Sequence, residues 1–239
     1  MRSNFERQHL PVALRCGFVA VVGRIENVVE PAPCLGEALI LAERFLDGQS
    51  SALILGDNIF YGANLTEILR SAAKRDSGAT VFGYYVQDPQ RYGVVKFDEH
   101  GRVMDLVEKP AVPPSHYAVT GIYFYDSRAS TFAKSLAPSP RGELEITDLN
   151  RAYLEIGELH LERLGRGSAW LDTGTHNSLL DAAIFVRIIE ERQGLKIACV
   201  EEIAWRQGYI DDCQLMKLAE PLKKSGYGEY LLRIVAEPD

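Results

Sequence analysis

The run SALILGD, Ser51 to Asp57, is apolar at almost every position and ends abruptly on Gly56 and Asp57. A strand without polar alternation has no face to offer water, so other elements must cover both of its sides. That requirement selects a layered α/β architecture, and the rest of the chain supplies the layers. NLTEILRSAAKRDSG reads as a helix with Leu65, Ile68, Leu69 and Ala72 on one face and Gly78 as its stop. ATVFGYYV is a second strand. YGVVKFDEHGRVMDLVEKP reads as a hairpin, with Val95 and Phe97 against Val103 and the turn at DEHG. YAVTGIYFYD is another buried strand. GELEITDLNRAYLEIG carries a helix closed by Gly157, and THNSLLDAAIFVRIIEERQG starts behind a Thr or Asn cap and ends at Gly194. Small helices follow. There is no internal repeat or low-complexity linker. The alternation predicts parallel strands joined by right-handed crossovers, with ligands outside the carboxyl ends of the strands.

Charge and cysteine usage narrow the partners. The 239 residues carry 26 Lys+Arg against 33 Asp+Glu, a net charge of -7, and no basic stripe, which argues against nucleic acid but leaves room for a small phosphorylated ligand. Cys16, Cys34, Cys199 and Cys213 are scattered without a C-x-x-C pair, so neither a zinc site nor a disulfide framework is expected, and a cytoplasmic setting is. CGFVAVVG is too short to span a bilayer, so no membrane partner and no targeting signal is expected.

Asp57 stands at the carboxyl end of a buried strand. Gly-Asp-Asn is also good turn chemistry, so a plain turn is the readier reading of this stretch alone. GSAWLDTGTHNSLLDAA places Asp172 after an apolar pair and just before a helix, where it either ends a strand or caps the helix. Two such carboxylates can share a Mg²⁺ ion, a hard cation that takes oxygen ligands and keeps waters and phosphate oxygens. In LVEKP, Glu108 can accept a sugar hydroxyl and Lys109 can neutralise a phosphate, the alternative being an exposed ion pair.

LILGDNIFYG, GATVFGYYVQDPQRYGVVKFDEHGRV, VEKP, YAVTGIYFYD, RGELEITDLNRAYLE and WLDTGTHNSLLDA, in this order and spacing, resemble the glucose-1-phosphate thymidylyltransferase family of sugar-nucleotide pyrophosphorylases. The segments GLKIACVEEIAWRQGYIDDCQL and AEPLKKSGYGEYLL resemble the helical C-terminal part of its short form. No hexapeptide repeats follow, which argues against the related bifunctional uridylyltransferases with an acyltransferase domain. The resemblance implies a Rossmann-like nucleotidyltransferase fold with a doubly wound mixed sheet, N-terminally incomplete, with C-terminal helices. Residues 30–239 would form the sugar-nucleotidyltransferase domain behind a divergent segment, 1–29. It implies formation of dTDP-glucose and pyrophosphate from dTTP and glucose 1-phosphate by a cytoplasmic homo-oligomer, a tetramer, in deoxysugar synthesis.

By the same resemblance Asp57 and Asp172 hold Mg²⁺, with Gly56 beside them among the substrate-binding residues. Glu108 meets the sugar hydroxyls, Lys109 the sugar phosphate, Tyr92 and Gly93 the phosphosugar, and Val119 the hexose through its backbone. Glu30 stands where the family has a base-reading Gln, yet a carboxylate cannot donate the amide hydrogen bond. Cys34 replaces a Gly next to the base. The family's Gly-x-Gly-Thr-Arg loop and Lys-Gln-Leu-Leu-Pro segment are not found ahead of Glu30, where Arg2, Arg7, Arg15 and Arg24 read as surface charges. Without that loop little charge stabilisation on the α-phosphate is expected, and the sheet is expected to keep an open strand position. The alternative expectation is a non-catalytic relative that binds sugar phosphate or joins an intact paralogue's oligomer.

Overall fold

The structure, a computed structural model, describes residues 20–22 and 35–237, so Glu30, Cys34 and the four N-terminal arginines lie outside the described residues. The chain falls into two compact units, one of residues 16–174 and one that includes residues 175–239.

The first unit runs β1 (Ala20–Val22), α1 (Leu35–Leu41), α2 (Glu43–Leu46), β2 (Ser51–Ile54), β3 (Asn58–Gly62), α3 (Leu65–Ala73) and β4 (Ala79–Tyr85). It continues with β5 (Gly93–Phe97), β6 (Val103–Glu108), β7 (Tyr117–Tyr125), α4 (Ala129–Ser135), α5 (Ile146–Glu155), β8 (Leu159–Arg163) and β9 (Ser168–Asp172). Its main sheet has the order β1-β2-β7-β4-β8, with the β5–β6 hairpin joined to β7 through Val94 opposite Ala118. Helices cover both faces, as the apolar β2 run requires. On one side Leu53, Val81 and Tyr123 pack with Leu39 of α1, Ala129 of α4 and Tyr153 of α5. On the other, Phe82 and Ile122 pack with Ala72 of α3. Consecutive residues such as Val81 and Phe82 enter opposite cores, which is why these strands read as unbroken apolar runs.

Strand direction departs from the all-parallel expectation. β7 lies antiparallel to both β2 and β4, while β1–β2 and β4–β8 are parallel. The hairpin between β4 and β7 is the cause, because it turns the chain round before β7 enters the sheet. The strand position expected to be open beside β2 is filled by β1, with Ala20 opposite Ala52. An edge of unpaired backbone groups accepts an extended apolar segment without needing a particular side chain. Gly78 does not stop α3, which ends at Ala73; at φ 85° it instead turns the chain into β4, where a Cβ would lie 2.4 Å from the Glu158 carbonyl oxygen. In the hairpin Phe97 faces Val103 as expected, and Val95 faces Leu106.

A second, two-stranded sheet pairs β3 antiparallel with β9. LILGDNIFYG therefore does not end at its Asp. The chain turns at Gly56 and Asp57 and resumes as a strand whose five residues are all half-buried, so no two-residue period marks it.

The second unit contains α6 (His176–Gln193), α7 (Val200–Arg206), α8 (Asp212–Ala219) and α9 (Gly226–Ala236). Of the two cap candidates for α6, Thr175 serves: its hydroxyl accepts from the Ser178 amide in a reciprocal capping box, and Gly194 closes the helix at φ 68°. Cys199, Leu215, Tyr230, Leu231 and Ile234 form this unit's core, and the Tyr227 and Tyr230 hydroxyls donate to Glu201 and Glu202.

Candidate active site

The ribbon of β3 and β9 brings the two sequence-distant aspartates together. Asn58 opens β3 directly opposite Asp172, the last residue of β9. Asp57 precedes it, and its backbone carbonyl accepts from both the amide and the hydroxyl of Thr173, at 2.8 Å each. A Cβ on Gly174 would lie 3.2 Å from Asp172 Oδ1 and 3.7 Å from Asp57 Oδ2, so the two carboxylates face one small volume. They do not end strands on one sheet edge, as expected. Asp57 sits in the turn between the main sheet and the ribbon, and Asp172 belongs to the ribbon itself. Asp172 Oδ1 accepts from the Gly174 amide at 3.1 Å, while the cap of α6 is Thr175, which removes the capping alternative for Asp172.

Three consecutive residues lead from these carboxylates to a second polar cluster. The Arg91 guanidinium lies 3.8 Å from Asp172 Oδ2 and 3.2 Å from Asp88, and it stands over the Tyr92 ring. Its hydrogen bond to Asp88, helped by Tyr92 and Asp172 nearby, holds its pKa above the ordinary value. The Tyr92 ring packs on Trp170, with centroids 4.9 Å apart, and burial pushes its hydroxyl pKa up. The Tyr92 carbonyl accepts from the Lys109 amide at 3.0 Å, and Gly93 pairs with Glu108 across the hairpin.

Glu108 is anchored on one oxygen and open on the other. The hydroxyl of buried Thr147, on α5, donates to Glu108 Oε2 at 2.6 Å. Oε1 faces Lys109 Nζ at 3.6 Å and the Arg141 guanidinium at 3.9 Å. A Cβ on Gly93 would press on Thr147 Oγ1 at 3.0 Å and Glu108 Oε2 at 3.2 Å. Lys109 holds φ at 41°, in the left-handed region that costs a residue with a Cβ about 1 kcal/mol or more. Arg141, hydrogen-bonded to Glu145 at 2.8 Å, is held above its ordinary pKa chiefly by that bond. Val119 lies on β7 opposite Gly83, packed against the core of β2, β4 and α5.

Asp57, Asp172, Tyr92, Gly93, Glu108 and Lys109 thus join through Arg91 to Gly93 into one continuous surface of the first unit. The geometry adds Arg91, Arg141, Thr147 and Trp170 to the residues expected from sequence. Arg141 and Thr147 both lie in RGELEITDLNRAYLE, but an Arg before a turn glycine looks like any solvated surface charge, and a hydroxyl on a helix carries no mark of its own. Two opposed carboxylates are the donor set of a hard divalent cation that completes its shell with water and phosphate oxygens, so the residues present fit one.

Comparison with known proteins places the chain in a family. The model described as Nucleotidyl transferase matches residues 24–188. A glucose-1-phosphate thymidylyltransferase of Xanthomonas campestris pv. campestris is 60% identical over 208 residues, 87% of this chain and 70% of that protein. One of Neisseria meningitidis serogroup A is 54% identical over 212 residues, 88% of this chain and 74% of that protein. A Bacillus anthracis crystal structure carrying the same enzyme name, in complex with sucrose, superposes with a TM-score of 0.59 at 40% identity over 66% of this chain and 63% of that one. A UDP-glucose pyrophosphorylase with bound UDP-glucose shares the fold, at a TM-score of 0.57 and 22% identity over 64% of this chain and 62% of that one. On the extent and identity of these matches, the chain belongs to the nucleotidyl transferases, in the glucose-1-phosphate thymidylyltransferase family.

Proposed function

We propose that this chain transfers the thymidylyl group of dTTP to glucose 1-phosphate, forming dTDP-glucose and releasing pyrophosphate. The observation that carries the reading is the continuity of the facing pair Asp57 and Asp172 with the cluster of Glu108, Lys109 and Arg141, in a chain 60% identical to a protein of that name. A phosphate oxygen of glucose 1-phosphate attacks the α-phosphorus of dTTP, the bond from that phosphorus to the bridging β-oxygen breaks, and pyrophosphate leaves with the electron pair. Lys109 and Arg141 neutralise the attacking phosphate, Glu108 accepts from a sugar hydroxyl through Oε1, and Tyr92, Gly93 and the Val119 backbone bound the sugar. Asp57 and Asp172, with Gly56 beside them, would hold Mg²⁺, whose charge would offset the repulsion between attacking phosphate and triphosphate and favour the departing pyrophosphate. In sequence, Glu30 stands where the family has its base-reading Gln. By the same family resemblance the enzyme works as a homo-oligomer, a tetramer, in the cytoplasm. Among the described residues no helix is long and apolar enough to cross a membrane.

The test is product formation by the purified chain with dTTP, glucose 1-phosphate and Mg²⁺, read as pyrophosphate release and as dTDP-glucose by anion exchange. Lys109→Ala is expected to raise the KM for glucose 1-phosphate on the order of tenfold to a hundredfold, the worth of one charged hydrogen bond. Absence of dTDP-glucose from the wild-type chain overturns the reading.

A further inference from the structure

Asn58 sits where the main sheet, the ribbon and the paired aspartates meet. Its Oδ1 accepts from the Trp170 indole Nε1 at 2.6 Å and from the Gly121 amide at 3.1 Å. Its Nδ2 donates to Asp57 Oδ1 at 2.8 Å. Both groups facing Oδ1 are donors only, so the amide cannot be turned over without setting donor against donor and oxygen against the Asp57 carboxylate. Gly121 permits this packing, since a Cβ there would lie 2.5 Å from Asn58 Oδ1. The Asp57 carboxylate is thereby held by one oxygen while Oδ2 stays turned toward the volume it shares with Asp172 Oδ1.

We infer that Asn58 is a positioning residue, which fixes the rotamer of Asp57 so that Oδ2 is aimed at a divalent cation before the ion arrives, with Trp170 and Gly121 fixing Asn58 in turn. The inference rests on the reading that Asp57 and Asp172 hold the cation. Partners of this kind, one step behind a metal ligand, typically change metal affinity by about tenfold to a hundredfold when removed.

The test is Mn²⁺ binding to the full chain without nucleotide, read from the electron paramagnetic resonance signal of free Mn²⁺, for the wild type, Asp57→Ala, Asn58→Ala and Trp170→Phe, with circular dichroism as the check of folding. Asp57→Ala is expected to weaken binding at least tenfold, and if it binds as the wild type does, the cation reading itself is wrong. Given that loss, Asn58→Ala is expected to weaken Mn²⁺ binding about tenfold or more while the protein stays folded. Trp170→Phe, which keeps a ring on Tyr92 but removes the donor to Asn58, is expected to weaken it several-fold. Folded Asn58→Ala protein that binds Mn²⁺ within twofold of the wild type, beside an impaired Asp57→Ala, overturns the inference. Should Asn58→Ala fail to fold, Trp170→Phe decides: several-fold weaker binding supports the role, and wild-type affinity overturns it.

Discussion

Lys109 keeps its backbone at φ 41° between two demands, an amide tied to the Tyr92 carbonyl and a side chain next to Glu108. Glycine would relieve the first conformation at no steric cost, whereas alanine would keep the strain and lose the same ammonium group. Lys109→Gly is therefore expected to be more stable than Lys109→Ala by about 1 kcal/mol in urea melts, although both lose the charge; equal stability would mean that the site holds no strain there. Gly93 acts through space rather than dihedral angle. A methyl group at that position meets the Thr147 hydroxyl and the anchored oxygen of Glu108, both of which have to give by a few tenths of an ångström. Gly93→Ala is expected to raise the KM for glucose 1-phosphate several-fold while leaving the melting temperature within a few degrees of wild type. A large loss of stability with unchanged KM would place the clash in the fold instead of in the sugar half-site.

At the scale of elements, the join between β7 and α4 depends on Asp126. This buried carboxylate accepts from the Gly78 amide at 2.7 Å, the Tyr153 hydroxyl at 2.8 Å and the Arg128 amide and side chain. It therefore ties the β7 end to the turn before β4 and to α5. Burial alone would raise its pKa, but hydrogen bonds from Arg128, the Gly78 amide and Tyr153 outweigh burial and hold it below the ordinary carboxylate value. A depressed folded pKa contributes stability above the unfolded value, near 4, and that contribution is lost as pH falls through the folded value. Asp126→Asn is accordingly expected to cost on the order of 2 kcal/mol at pH 7, with the gap to wild type shrinking below about pH 4. Urea melts from pH 7 to pH 2.5 measure it, and a gap that stays constant would show that the carboxylate charge is not the stabilising feature.

At the scale of the whole molecule, the helices after Gly174 have a core of their own around Leu215 and Leu231, both fully buried. Leu231→Ala should destabilise by roughly 2–5 kcal/mol and speed amide exchange through α7 to α9, while β4 and β7 keep their protection. Loss of protection in β4 and β7 at the same time would mean that the two cores open together. Features decided within a few residues were legible in the sequence: the buried run of β2, the cap of α6 down to a Thr or an Asn, the helix stop at Gly194 and the hairpin turn before Val103. Caps, turns and periods are local, so the residues that make them lie side by side in the chain. Asp57, Asp172, Glu108 and Lys109 came together in the sequence only through the resemblance of their motifs to a family, since each by itself reads as a turn, a helix cap or a surface ion pair. What only the tertiary structure decided was relational: the antiparallel course of β7, the pairing of β3 with β9, the approach of Arg141 to Glu108, and the hold of Trp170 and Gly121 on Asn58. Each depends on which backbone edges pair across long stretches of chain, and periodicity carries no information about that choice.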